Sequence, residues 1–470
     1  MTLIDAECVA RLQSALTDRV HLPDTDGYRS SLGRIFFPDA SRRHPACVVT
    51  PLSVDDVATT MAIAAESGSP VTVRGGGLSS NCVADDAVLL DLSAHLNFAR
   101  AQGDRVIMGG GARVGSMLDA LAPSGRVVPV GIVGHAGIGL ATRGGVGYLT
   151  RSVGLTLDHL VEVELVLPSG DVVKLSDAST GAEADLWWAV RGSAPAFGVV
   201  TAAMLRTHEL GPMWVDRMVL NLDALETYFR IAPEQPRDTT IGAVLGFSEL
   251  SPGEPVFFVF TACRSQDDAA IARARSAASA IAAGSKSAPL YRSEMSGRYL
   301  AELPEFAIPG RGGAEPPPIP LPEPGEERGS FFGKSVFVGP TLDSAVADAL
   351  DAQIRSAPTP ACRIDFQHTG GAIADVADGD TAFWGRSSEW NIPLNAIWSE
   401  GDDGDACIGW ARDTLAALAS HTVGTYSVEV RPGFPETEAE IAAAYGGNLE
   451  RLRLLRSQTD PENVLGNYPL

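Results

Sequence analysis

Residues 69–81 read "SPVTVRGGGLSSN". Val71 and Val73 alternate with Thr72 and Arg74, which predicts a short strand running straight into Gly75, Gly76 and Gly77. Glycines at a strand end tolerate positive φ and let the main chain come close to a ligand. Successive bare N–H groups there form a concave nest for anions, phosphates above all. The stretch therefore points to a phosphate-bearing ligand, and it poses a question in the oily Leu78 that follows the glycines. Two further glycine corners lie downstream: "VPVGIVGHAGIGLATRGGVGYLTRSVGLTLD" (128–158) and "DLWWAVRGSAPAFGVVTAAMLR" (185–206). Such density costs backbone entropy, and a large flat or phosphate-bearing ligand is the natural compensation.

The surroundings of these corners predict a mixed fold. "LSVDDVATTMAIAAES" (52–67) places Val57, Met61 and Ala64 at helical spacing behind a Ser-Val-Asp-Asp start. Short β-rich runs follow: "PVTVR", "AVLLDLS", "RVIMGGG" and "LVEVELVLPSGDVVKL", the last folded back at Pro-Ser-Gly-Asp. A break falls at "HELGPMW" (208–214). Beyond it come helices such as "QDDAAIARARSAASAIAA", strands such as "EPVFFVFTA", and a Pro/Gly/Glu-rich segment at 303–330 that reads as an extended loop. The alternation in "FGKSVFVG" predicts a strand from 332, and "PETEAEIAAAYGGNLERLRLLRSQ" predicts a closing helix.

Composition excludes several classes. With 470 residues and a formal net charge of −22, the chain has no Lys/Arg-dense stretch to track a nucleic-acid backbone. No apolar run approaches the ~18 residues of a membrane span. The N-terminal "MTLIDAECVARLQSALTDRV" reads as an amphipathic helix without the layout of a signal peptide. Six scattered cysteines with no CxxC pair fit free thiols in a reducing compartment. A cytoplasmic monomer or homodimer is expected, with no nucleic-acid or membrane partner. The Ala/Gly-rich, Lys-poor composition suggests a bacterial source. HExxH, GxSxG and a helix-opening GxGxxG are absent, the histidines lack metal-ligand spacing, and no metal is expected. "GSFFGKS" (329–335) is one residue short of a P-loop and leads into a strand, not a helix.

Taken together, "PVTVRGGGLS", "GIGLATRGGVGYLTRSVGLTLD", "DLWWAVRGSAPAFGVVT" and the terminal "AAYGGNLERLRLLRSQTDPENVL" resemble the FAD-linked oxidases of the vanillyl-alcohol-oxidase type (PCMH-type FAD binding), in their berberine-bridge-enzyme-like branch. The resemblance implies an α+β architecture: an N-terminal helix (1–24), an FAD-binding domain (25–210), a substrate domain (211–420) whose antiparallel sheet is covered by helices, and a C-terminal segment (421–470) returning to the FAD domain. It implies that Arg74, Gly75, Gly76, Gly77, Leu78, Ser79 and Ser80 surround the FAD pyrophosphate. Gly137, Gly139, Thr142, Gly144 and Gly145 would wrap the flavin and ribityl chain, Val200 the adenine end, and Asn463 would close over the flavin side.

Relatives usually carry a flavin-linked His where Leu78 stands, and many carry a linking Cys at the position aligned with Val133. Neither leucine nor valine forms such a bond, so the expected cofactor is non-covalent FAD and a gentler oxidant. Arg143 replaces a usual glycine, beside a short gap between Ile138 and Gly139. The family's Tyr-x-Asn tail motif appears here as "TYSVEV" (425–430), leaving Tyr426 and, if the segment is a strand, Glu429 as candidate acid/base groups. His135, inside the flavin loop, and His368 are further candidates. Gln367, Trp384, Glu389, Trp390, Asn391 and Asn395 are expected to line the substrate pocket, and the tryptophans suggest a largely apolar or aromatic substrate. Small Ala136 would leave O2 a path to the flavin. The expected function is an FAD-dependent oxidoreductase acting on a small secondary-metabolite substrate. The alternative is a non-redox cyclase or eliminating enzyme with FAD as structural support.

Overall fold

A computed structural model describes residues 6–131, 134–297 and 329–470. The Pro-rich 303–330 segment therefore falls outside the described residues except for its last two positions, as does Val133. The fold is α+β and builds on three main sheets. The first pairs Cys47–Val49, Val88–Asp91 and Val71–Arg74 in parallel, with Val20–His21 antiparallel at one edge. Parallel strands need a crossover, supplied by the helix Val54–Glu66, whose Ser53 cap accepts from the Asp56 amide. The second sheet is antiparallel, in the order Ala99–Gln102, Arg105–Gly109, Val199–Arg206, Leu160–Val166, Val172–Ser176. Its last two strands form the hairpin foreseen at Pro-Ser-Gly-Asp.

The third sheet has eight strands among the described residues, all antiparallel, and runs from Tyr291–Gly297 at one edge to Thr422–Thr425 at the other. Because strand side chains alternate faces, this sheet has two distinct surfaces. Phe257, Val259, Ile364, Phe366, Trp390, Ile392 and Leu394 pack one face into a core shared with helices such as Ser344–Arg355 and Gly404–Ala417. Val215, Val244, Phe258, Phe260 and Phe337 on the other face join the core formed with the first two sheets. The intervening alternate positions on that second face carry the polar residues described below.

Two local expectations change. The closing helix is two helices, Thr437–Tyr445 and Leu449–Thr459, broken at Gly446 with φ +45°. A Cβ on Gly446 would sit 2.2 Å from the Trp384 ring, so the break makes room for that indole. The segment after Thr425 is a 3-10 turn, Ser427–Glu429, not a strand. Face alternation therefore does not govern where Tyr426 and Glu429 point. The chain end returns to the first sheet: Val71 N–H donates to Val464 O at 2.8 Å, and Asn467 Nδ2 donates to Asn81 O at 2.7 Å.

Candidate active site

The strand Val71–Arg74 delivers the first corner. Arg74 is buried, and its Nη1 pairs with Asp91 at 2.6 Å while Nη2 reaches Arg34 O at 3.3 Å. The arginine thus braces the loop from behind instead of facing a ligand. Gly77 turns at φ +78°, and its carbonyl accepts from Phe36 N–H. Among the described residues the amides of Gly76, Gly77, Leu78, Ser79 and Ser80 donate to no protein acceptor, and buried Ser80 Oγ has no partner. Half-buried amides and a buried hydroxyl left without acceptors are costly unless a ligand satisfies them. Such a row of donors suits a phosphate group.

The second corner lies against the first. A Cβ on Gly76 would stand 2.6 Å from His135 O, and one on Gly137 2.8 Å from Gly76 N, so only glycine permits this backbone contact. A third glycine run, Gly109–Gly111, closes the cradle from below. A Cβ on Gly110 would come 2.0 Å from Val200 O, and Gly110 N–H donates to Thr201 O at 2.8 Å. Its three consecutive glycines were the available sequence signal, though the run reads only as a strand end. Thr142 spends its hydroxyl on Ile138 O. A Cβ on Gly139 would meet nothing within 4 Å, which leaves open space beside that residue. His135 is half-buried, with its ring 6.4 Å from that of Phe36, and Leu78 packs against the core.

Tyr426 clasps this corner. Its buried Oη accepts from Gly145 N–H at 2.8 Å, and a Cβ on Gly144 would lie 2.6 Å from the same oxygen. Burial pushes the phenol up to about 12, so it stays protonated across the physiological range. Tyr426→Phe would leave the Gly145 amide unpaired; an expected loss of about 1–3 kcal/mol in urea unfolding checks this. Arg143 completes the contact, donating from Nε to Gly139 O at 3.0 Å and from Nη1 to Ser427 O at 3.3 Å.

Over the corners stands the polar face of the third sheet. Asn391 Nδ2 donates to Gln367 Oε1 at 2.7 Å, and Ser335 Oγ to Asn391 Oδ1 at 2.8 Å. Asn395 Nδ2 donates to Asp365 Oδ2 at 2.9 Å, with Arg363 Nε 3.3 Å from Oδ1. Glu429, half-buried on the turn after Tyr426, extends over the same face: its Oε2 would be 2.7 Å from a Cβ on Gly333. Burial raises the Glu429 carboxyl above its ordinary range, against the pull of Arg431, Arg143 and Lys334.

Other expected pocket residues are elsewhere. His368 follows the strand alternation onto the helix-covered face. It is fully buried, stacked on Trp390 at 4.6 Å, and accepts the Ile241 amide at Nδ1, leaving Nε2–H to donate to Glu389 at 2.8 Å. Burial drives its pKa far down, with Arg151 adding to the effect. This neutral, fully bonded imidazole is a brace and not an acid/base group. Glu389 also binds Arg151, which reaches Thr239 O and Thr369 O and so ties the Thr150–Val153 helix to the third sheet. Trp390 is core, and Trp384 packs on Gly446 and Gly447 of the tail. The apolar-pocket expectation drawn from these tryptophans fails, because register and the tail helices take both rings away. Asn463 sits at φ +54° in the tail turn, accepting from Arg456 Nη2 at 3.1 Å.

An FAD-binding-domain family description matches residues 45–176 of this chain. The (R)-6-hydroxynicotine oxidase of Paenarthrobacter nicotinovorans is 35% identical over 198 residues, covering 38% of this chain and 42% of that enzyme. An FAD-linked oxidoreductase of Bacillus subtilis, YgaK, is 24% identical over 466 residues and 96% of both chains. The fold of the BBE-like 1 protein of Physcomitrella patens superposes with a TM-score of 0.82 over 98% of this chain and 99% of that one, at 22% identity. Residues 45–176 carry an FAD-binding domain. The chain's fold is that of the berberine-bridge-enzyme-like branch. In this chain the unpaired amides of 76–80 and the orphaned Ser80 hydroxyl fit a dinucleotide diphosphate in donor chemistry. A Cβ on Gly139 meets nothing within 4 Å, so the second corner is open at that point.

Proposed function

We propose that this oxidoreductase holds FAD without a covalent bond and uses it to oxidise a small polar organic molecule on the inner face of the large sheet. The observation that carries the reading is the row of unpaired amides at Gly76–Ser80, pressed against the second glycine corner. FAD would supply the two-electron acceptor. Leu78, at the site of the usual histidyl link, carries no nucleophile, and Val133 none at the cysteinyl one.

The polar face supports a substrate that forms hydrogen bonds. Gln367, Asn391 and Asn395 present amides in fixed orientation, because Ser335 and Asp365 lock their partners. Glu429 is the proton acceptor in this reading: it lies between the Arg143 corner and Gly333, and burial raises its carboxyl above the ordinary range, which strengthens it as a base. Tyr426 orients the loop and stays protonated. The relative that acts on (R)-6-hydroxynicotine turns over a compound of the size class proposed here. Small, buried Ala136 supports O2 as the electron acceptor. The six cysteines, all free and buried, support a cytoplasmic setting.

Acid precipitation tests the cofactor assignment. All yellow colour is expected in the supernatant, and flavin retained in the pellet would refute non-covalent binding. Anaerobic bleaching by a turned-over substrate supports oxidation, whereas product formation with unbleached flavin would replace this reading with cyclisation or elimination.

A further inference from the structure

Resting on that FAD reading, we infer that Arg113 and Arg34 clamp the FAD diphosphate from two sides and supply the charge that holds it in place of a tether. Three backbone segments run side by side here. Val114 N–H donates to Ala136 O at 2.8 Å, Gly115 N–H to Gly134 O at 2.9 Å, and Arg113 bridges Gly137. Gly137 in turn abuts Gly76 N. Arg113 is therefore one segment removed from the amide nest. Arg34 borders the nest on the other side, since its carbonyl accepts from Arg74 and Phe36 N–H binds Gly77 O.

Charge balance makes the pair informative. Arg74 is neutralised by Asp91, whose Oδ1 is bound by the Ser93 amide and hydroxyl. Neither the Arg34 nor the Arg113 side chain has a hydrogen-bond or ion-pair partner among the described residues. Arg113 is half-buried, and after burial itself the positive charges of Arg74 and Arg34 lower its pKa, while Asp91 is the one carboxylate opposing them. The charges acting on Arg113 are thus two further guanidinium groups, of which Arg34 is exposed, and one carboxylate, a positive balance beside an unpaired amide row in a chain of net charge −22. A half-buried cation without a partner is costly. A diphosphate carries matching charge and offsets that cost.

The test titrates apo wild-type, Arg113→Gln, Arg34→Gln and the double variant with FAD and with riboflavin, which lacks the diphosphate, at low and high salt. Each single variant is expected to bind FAD about tenfold more weakly at low salt, the double variant to lose most of the salt dependence, and riboflavin affinity to stay unchanged. Arg113→Lys is expected to recover much of the FAD affinity, which separates charge from a folding defect. Equal FAD affinity and salt slope in wild type and Arg113→Gln overturn the clamp alone. A wild type that takes up no FAD overturns both the clamp and the reading beneath it. Riboflavin binding lost in parallel with FAD assigns these arginines to folding and overturns the clamp.

Discussion

Glu429→Gln is expected to cut the rate of anaerobic flavin reduction by about 10²–10⁴-fold, the usual contribution of a positioned general base, while FAD affinity stays unchanged. Glutamine keeps the shape of the side chain over Gly333 but cannot take a proton. The wild-type rate should fall as pH drops through the raised carboxyl pKa, since only the ionised form accepts the proton, and the variant should lack that acid limb. Stability should move the other way. A carboxyl whose pKa is raised on folding contributes stability below its unfolded pKa and loses it as pH rises through the folded one. The glutamine variant therefore gains on wild type in urea unfolding as pH rises toward neutrality. Slower chemistry joined to greater stability is the signature of a residue kept for function. A reduction rate within about threefold of wild type would assign the proton to another group.

Asp91→Ala is expected to destabilise the protein by about 3–5 kcal/mol, because Arg74 would remain buried with no counter-charge. Both side chains are almost sealed from water, at 1% and 2% exposure, so solvent cannot replace the lost partner. Asp91 also receives the Ser93 amide and hydroxyl, so its loss loosens the loop that positions the glycine nest. Urea unfolding should show a lower midpoint with an unchanged slope. Asp91→Asn preserves an acceptor for Ser93 and isolates the charge. An alanine variant within about 0.5 kcal/mol of wild type, the range of ordinary surface changes, would mean that Arg74 finds another counter-charge and that the brace is not what supports the nest.

The close packing of the glycine corners was legible because its constraints are local. A glycine run at a strand end announces close approach whatever surrounds it, and Gly76 and Gly137 do meet backbone to backbone. Helix caps and the hairpin at Pro168–Asp171 were equally readable, since each depends on neighbours within a few residues. The substrate face was read less well. The strand alternation in "RIDFQH" was correct, but which face looked toward the flavin loops depended on where distant helices packed, and that choice sent His368 to the core. Trp384 was misplaced for a similar reason, since its seat is a break between two tail helices far along the chain.

The sequence by itself pointed to the class of ligand, through glycines whose missing side chains matter in any context, and placed Leu78 and Val133, neither of which carries a nucleophile, where the resemblance expects attachment residues. Only the tertiary structure decided which charged groups lie near the glycine corners and which are already paired. Arg74 turns away to Asp91, Arg113 and Arg34 stay uncompensated, and Glu429 reaches the polar sheet face from a turn. Side-chain direction and burial arise from packing between segments hundreds of residues apart, and periodicity along one segment carries no record of that packing.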